Sequence, residues 1–107
     1  MIAREVTMNL KADSQAKFTH KLDDVIIPKL RSQKGFQDEI ALVTSGGRKA
    51  VTISLWDNKE NAETYNTTKY PEVLKDMTDL IDGTPHVETY EVSNSTWHKI
   101  AATPIAA

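Results

Sequence analysis

Cysteine is absent from this 107-residue chain. That absence excludes disulfides, thiolate zinc sites, iron–sulfur ligation and a cysteine nucleophile together, and it suits a reducing compartment. An excess of charge of either sign is also lacking. Thirteen Lys and Arg stand against 15 Asp and Glu, a formal net charge of -2. A protein that binds nucleic acid or an anionic membrane usually shows a basic stripe, so neither partner is expected. No apolar run approaches the length of a membrane span. The opening MIAREVTMNL carries no apolar leader region, and a cytoplasmic protein is the expectation. A glycine-rich phosphate loop and a G-x-S-x-G motif are missing, and no two of His20, His86 and His98 have metal-ligand spacing on one element. No metal, nucleotide or other cofactor is therefore expected.

What is present is the ordinary mixture of a soluble domain, 39% hydrophobic and 26% charged residues. The length suffices for one domain, placed at residues 1–95 with a tail at 96–107. Residues 3–11 alternate, with Val6, Met8 and Leu10 on one face and Glu5, Thr7, Asn9 and Lys11 on the other, the pattern of a half-buried strand. Phe18, Leu22, Val25, Ile26 and Leu30 then form one helical stripe, interrupted by Pro28. A kink near residues 24–28 and a helix end by Gly35 are expected. Residues 36–45 and 48–56 read as strands joined by a two-residue turn at Gly46-Gly47, with both glycines at positive φ. In the second of them Val51, Ile53 and Leu55 face one way and Thr52, Ser54 and Trp56 the other. Asp57 and Glu60 have capping-box spacing before a short helix at 58–68. Pro71 opens a further helix whose stripe is Val73, Leu74, Met77, Leu80 and Ile81, stopped by Gly83. Residues 86–93 read as the last strand.

Strand, helix, strand, strand, helices, strand is the ferredoxin-like βαββαβ order, an α+β fold with a four-stranded antiparallel sheet and helices on one face. The other sheet face needs cover, which a second copy would supply. The tail residues Trp97 and Ile100 are candidates to pack across that interface.

The ordered set Pro28, Gly35-Phe36, and Trp56 followed by Asp57 and Glu60, with VETYEV near the end, resembles the antibiotic biosynthesis monooxygenase domain family over about residues 4–93. The resemblance implies a homodimer joined through the open sheet faces into a dimeric α+β barrel, with a pocket between sheet and helices in each protomer. It implies activities that include cofactor-independent oxygenation of phenols or quinols and haem degradation. Members that oxidise aromatic polyketides carry an Asn four residues before the strand-ending Trp and a Tyr six after it. Thr52 and Ala62 stand there in this chain, and an alanine cannot orient or deprotonate a phenol. Where haem-degrading members place the histidine that ligates iron, this chain has Lys75, a poor ligand when protonated.

Candidate site residues follow. Trp56 is expected to shape a pocket, and Tyr65, Asn66 and Tyr70 combine apolar bodies with polar tips suited to an aromatic or carbonyl ligand. Glu5, Thr7, Asn9, Thr52 and Ser54 read as one polar group across the two central strands, although the pattern leaves open which face the helices cover. His86, at the start of the last strand, has the pKa of a general base. The catalytic expectation is thus Trp56, Asn9 and His86, with Thr7, Thr52, Tyr65 and Tyr70 binding a small apolar or aromatic molecule. The functional expectation is a cofactor-independent monooxygenase. The alternative is a non-catalytic dimeric module of the same fold that binds a small ligand or serves in a stress response.

Overall fold

The alternation of residues 2–10 and the helical stripe that follows it give a strand and a helix in the computed structural model, which describes residues 1–97. Strands β1 (Ile2–Leu10), β2 (Phe36–Val43), β3 (Lys49–Trp56) and β4 (Ile81–Glu91) form one antiparallel sheet in the order β2-β3-β1-β4. Helices α1 (Gln15–Lys21), α2 (Ile27–Arg31), α3 (Lys59–Thr68) and α4 (Tyr70–Met77) supply the second layer. This is the ferredoxin-like α+β fold expected from the element order. The core lies between the layers, where Val6, Met8 and Leu10 of β1 meet Phe18, Leu22, Ile26, Leu30, Val73 and Met77.

The kink expected around Pro28 takes the form of a π-helical turn at Leu22–Ile26, in which the Ile27 N–H donates to the Leu22 carbonyl. Proline has no N–H and crowds the carbonyl four residues earlier, and a widened turn just upstream relieves both problems. The widened turn still presents Leu22, Ile26 and Leu30 to the core, all three buried.

Strand register decides which face each residue occupies, because directly opposed residues project to the same side. Arg4 lies opposite Ser54, Val6 opposite Thr52 and Met8 opposite Ala50. Ala50, Thr52, Ser54 and Trp56 therefore face the helices, while Val51, Ile53 and Leu55 share the outer face with Ala3, Glu5 and Thr7. This corrects the grouping of Thr52 and Ser54 with Glu5, Thr7 and Asn9, which lie on opposite sides of the sheet.

Three local expectations are also corrected. The β2–β3 hairpin is not a two-residue turn. Its loop runs over residues 45–48, closed by Thr44 N–H to the Lys49 carbonyl at 2.9 Å, and of its two glycines Gly47 alone has positive φ, 70°. The cap of α3 sits one residue later than expected: Asn58 Oδ1 accepts from the Asn61 N–H at 2.9 Å. Asp57 is already engaged, its N–H donating to the Gly35 carbonyl and its side chain accepting from Asn61 Nδ2. Finally, β4 begins at Ile81, so Gly83 lies in a strand and does not stop a helix. Between Thr7 opposite His86 and Asn9 opposite Asp82, residues 83–85 bulge against Met8 alone. Pro85, which has no ladder donor, is tolerated at such a bulge. Trp97 of the tail is 64% exposed; His98 and Ile100 lie outside the described residues.

Gly35, which has φ 84°, lies in the link from α2 to β2. A Cβ there would collide with Asp57 Oδ1 and come within 2.7 Å of the Asn61 Cβ. Gly35→Ala is expected to cost at least about 1–3 kcal/mol. At Gly46 a Cβ would meet nothing within 4 Å, and Gly46→Ala is expected to stay within roughly 0.5 kcal/mol of the parent. Urea unfolding midpoints of the two variants check the contrast.

Candidate functional site

The row of β1 that faces the helices reads Ile2, Arg4, Val6, Met8, Leu10, and its one charged member is buried with the rest: Arg4 is 3% exposed. Three elements hold its guanidinium. From α3, the Asn66 Oδ1 accepts from Arg4 Nη2 at 2.9 Å. The Tyr65 ring, one residue earlier, has its centre 5.2 Å from the guanidinium carbon. From the first turn of α4, the Tyr70 ring lies at 4.0 Å, a cation–π contact out of water. The short link between α3 and α4 makes this possible: Lys69 N–H closes on the Tyr65 carbonyl, and Pro71 sits in the opening turn of α4 beside Tyr70. Arg4 Nε is buried and has no hydrogen-bond partner.

Around this cation the polar groups are few and specific. Ser54 of β3 donates its hydroxyl to the Arg4 carbonyl at 3.5 Å and accepts the Trp56 indole N–H at 2.9 Å. Trp56 is fully buried, edge-on to Phe36 at 5.6 Å between ring centres and tilted against Tyr65 at 4.9 Å. Glu39 comes from the helix-facing side of β2, opposite Ser54. Burial pushes its carboxyl up to about 8, with the Arg4 charge pulling the other way. Burial also lowers the Arg4 pKa, partly offset by the two tyrosines, but guanidinium is basic enough to stay charged. The Tyr65 and Tyr70 phenols are both raised by burial, against the pull of Arg4, and stay neutral at pH 7.

Arg4, Glu39, Ser54, Tyr65 and Tyr70 line a cavity of about 40 Å³ between the sheet and the helices. The rest of its wall is apolar: Val6 and Met8 from β1, Leu22 and Ile26 from the π turn, Leu30, and Val73, Leu74 and Met77 from α4. Space of that size holds a few water molecules. The chemistry on offer is a fixed cation, two neutral phenols, hydroxyls from Thr52 and Ser54, and a carboxyl that is easily protonated.

Of the residues singled out in the sequence, Thr52, Tyr65 and Tyr70 come together on this cavity. Trp56 stands behind it, joined through Ser54 and Tyr65, with its one polar atom already used. Thr7, Asn9 and His86 are not brought to it. Register puts Thr7 beside Val51 and His86 on the outer face. Asn9 is exposed there, and the largely solvated His86 side chain sits 3.7 Å from Glu88. Arg4 and Glu39 are the site residues that pattern reading missed. For Arg4 a signal existed, since it shares the parity of Val6, Met8 and Leu10. Glu39 gave none: a bulge between Phe36 and Asp38 puts Phe36 and Glu39 on one face although they are three apart in sequence. Among the described residues no cluster of His, Asp or Glu is arranged to hold a metal ion.

Because the Glu39 carboxyl holds its proton more tightly folded than unfolded, this group stabilises the fold most below its ordinary pKa of 4.5. Its contribution declines as pH rises from there and is gone above about 8. Glu39→Gln is expected to remove that decline. Melting temperatures of parent and variant should run parallel below about pH 4.5, separate progressively between 4.5 and about 8 as the parent falls relative to the variant, and run parallel again above that.

No protein-family model matches the chain, and no curated protein matches it. Solved structures do. The ActVA-Orf6 monooxygenase of Streptomyces coelicolor, solved in complex with nanaomycin D, superposes with a TM-score of 0.74 at 14% identity, over 88% of each chain. SnoaB, a cofactor-independent oxygenase from Streptomyces nogalater, gives 0.73 at 11% identity, over 89% of this chain and 95% of its own. A protein of unknown function from Nitrosomonas europaea gives 0.70 at 16% identity, over 99% and 95%. Further neighbours carry antibiotic biosynthesis monooxygenase in their names. The chain therefore has the fold of the antibiotic biosynthesis monooxygenases, over nearly its whole described length.

Proposed function

We propose that this chain is a cytoplasmic, homodimeric monooxygenase that acts on a small aromatic or quinol-type substrate without a bound cofactor, in the cavity between sheet and helices. The observation that carries the reading is the cavity itself: an apolar slot with phenols, hydroxyls and a cation in its wall. Two structures of the same fold support it, one named a cofactor-independent oxygenase and one a monooxygenase in complex with the ligand nanaomycin D.

A phenol or quinol that loses its proton in such a slot becomes electron-rich enough to reduce dioxygen directly. One oxygen atom enters the ring as a carbonyl and the other leaves as water. The substrate supplies all four electrons in that conversion. The protein's part is to desolvate, to orient and to supply a few hydrogen bonds. Tyr70, Tyr65 and Thr52 are the groups placed to contact the substrate oxygen, and Trp56 keeps Tyr65 in position from behind. A cavity of about 40 Å³ admits a ring only if side chains yield. Met8 and Met77, unbranched and adaptable, are suited to that.

The outer sheet face supports the homodimer. Ile40, Leu42, Val51 and Ile53 line it together, with Leu42 48% exposed and Tyr90, toward the other edge, 46% exposed. A contiguous apolar sheet face of this kind calls for a partner surface. Thr7, Asn9 and His86 belong to that face and so to the contact between copies. The non-catalytic alternative draws on one observation: Ala62, where polyketide-oxidising proteins carry a tyrosine, is buried and brings no polar group.

Oxygen uptake by metal-free protein with anthrones, naphthols and quinols tests the reading. Turnover is expected for at least one of them, reduced roughly tenfold in Tyr70→Phe, which keeps the ring over Arg4 and removes the hydroxyl. Saturable binding without uptake would make the chain a binding module. Light scattering is expected to give twice the chain mass, falling to the single-chain mass in Ile53→Asp, which buries a charge in the proposed contact.

A further inference from the structure

We propose that Arg4 makes this cavity selective for an aromatic acid, a ring in the apolar slot whose anionic oxygen is received by the guanidinium. The proposal deepens the reading of the cavity as the ligand site and rests on it. Three features of Arg4 lead here.

Its depth is the first. At 3% exposure the guanidinium has lost its water, and a cation in that position is costly unless an anion or a full set of acceptors replaces the solvent. Its incompleteness is the second. Arg4 takes part in none of the ion pairs among the described residues. Its Nη2 donates to a neutral amide, Asn66, and Nε is left without an acceptor. Its neighbourhood is the third. The two tyrosine rings lie against the guanidinium, and neither supplies an acceptor to the vacant Nε. Arg4 also lines a cavity whose remaining wall is Val6, Met8, Leu22, Ile26 and Met77. A ring with one acidic oxygen matches that wall and that vacant donor together. A neutral ring leaves the donor unmet, and an aliphatic dianion brings more charge than the slot can pair.

Glu39 lines the same cavity and, once ionised above about pH 8, is the charge that a bound anion would have to displace or neutralise. Its partial burial and its raised pKa fit a carboxyl that accepts a proton when an anionic ligand arrives. Glu39→Gln therefore separates this proposal from a purely structural role for Arg4, because above about pH 8, where Glu39 is ionised, removing a competing carboxylate tightens the binding of an anion and leaves that of a neutral molecule unchanged.

The test uses the whole chain with benzoate and benzyl alcohol, rings of similar size that differ in charge. Titration calorimetry is expected to show benzoate binding at least roughly tenfold tighter than benzyl alcohol. Benzoate affinity measured at pH 9 should rise in Glu39→Gln, and the preference should vanish in Arg4→Lys, where the planar fork and its Nε are gone. Nitrogen-15 NMR of the arginine side chains in the unmutated protein gives a readout that needs no variant: the Arg4 Nε–H resonance should shift with benzoate and those of Arg31 and Arg48 should not. Equal affinities, no benzoate binding at millimolar concentration, or benzoate binding with the Arg4 resonance unmoved would each overturn the proposal. Oxygen uptake with neutral naphthols beside any of those results would leave the oxygenase reading standing and remove this one. Benzoate selectivity without uptake on any substrate would do the reverse.

Discussion

A guanidinium enclosed between a sheet and its helices is the constraint around which the rest of the interior is arranged. Hydrocarbon at position 4 of β1 would make the helix-facing row uniformly apolar. With Arg4 there, the facing helices must bring groups that tolerate a cation, and they do. Tyr65 and Asn66 sit side by side on α3, and Tyr70 opens α4 after a one-residue link. The aromatic chain from Phe36 through Trp56 and Tyr65 to Tyr70 carries that arrangement across the domain, each ring within 6.3 Å of the next. Trp56 gives up its indole N–H to Ser54, and Ser54 in turn reaches the Arg4 backbone. A fully buried tryptophan and a buried charge are thus tied to the same serine.

How much of this was legible in the sequence depends on what each signal measures. Periodicity measures which residues share a face, and it gave the strand–helix order, the stripe Phe18, Leu22, Ile26, Leu30 and the alternation of β1. It does not measure which face is covered. In β3 both faces carry apolar residues, Val51, Ile53 and Leu55 on one and Ala50 and Trp56 on the other, so the more hydrophobic row was a poor guide to the inside. Cross-strand register settles the matter, and register is a property of two strands. The same limit explains Glu39, hidden by the bulge in β2, and Gly83, which reads as a helix stop because the bulge opposite Met8 that accommodates it belongs to two strands. Arg4 is a different case. Its parity was available, and the habit of placing charged residues outside hid it.

The choice of face on β3 also links the two halves of the functional reading. Turning Ala50, Thr52 and Ser54 toward the helices puts small side chains where a sheet usually offers Val or Ile, and small side chains leave room. The cavity exists because the middle of β3 does not fill the space beneath α4 and the π turn. Turning Val51, Ile53 and Leu55 away from the helices moves the bulky apolar row to the outer face, where it joins Ile40 and Leu42. A register slip of one residue would reverse both results, filling the cavity with branched side chains and making the outer face polar. The internal cavity and the apolar outer face are therefore consequences of a single pairing, Val6 with Thr52. A sequence that kept this pairing for the cavity alone would still have to cover the outer face.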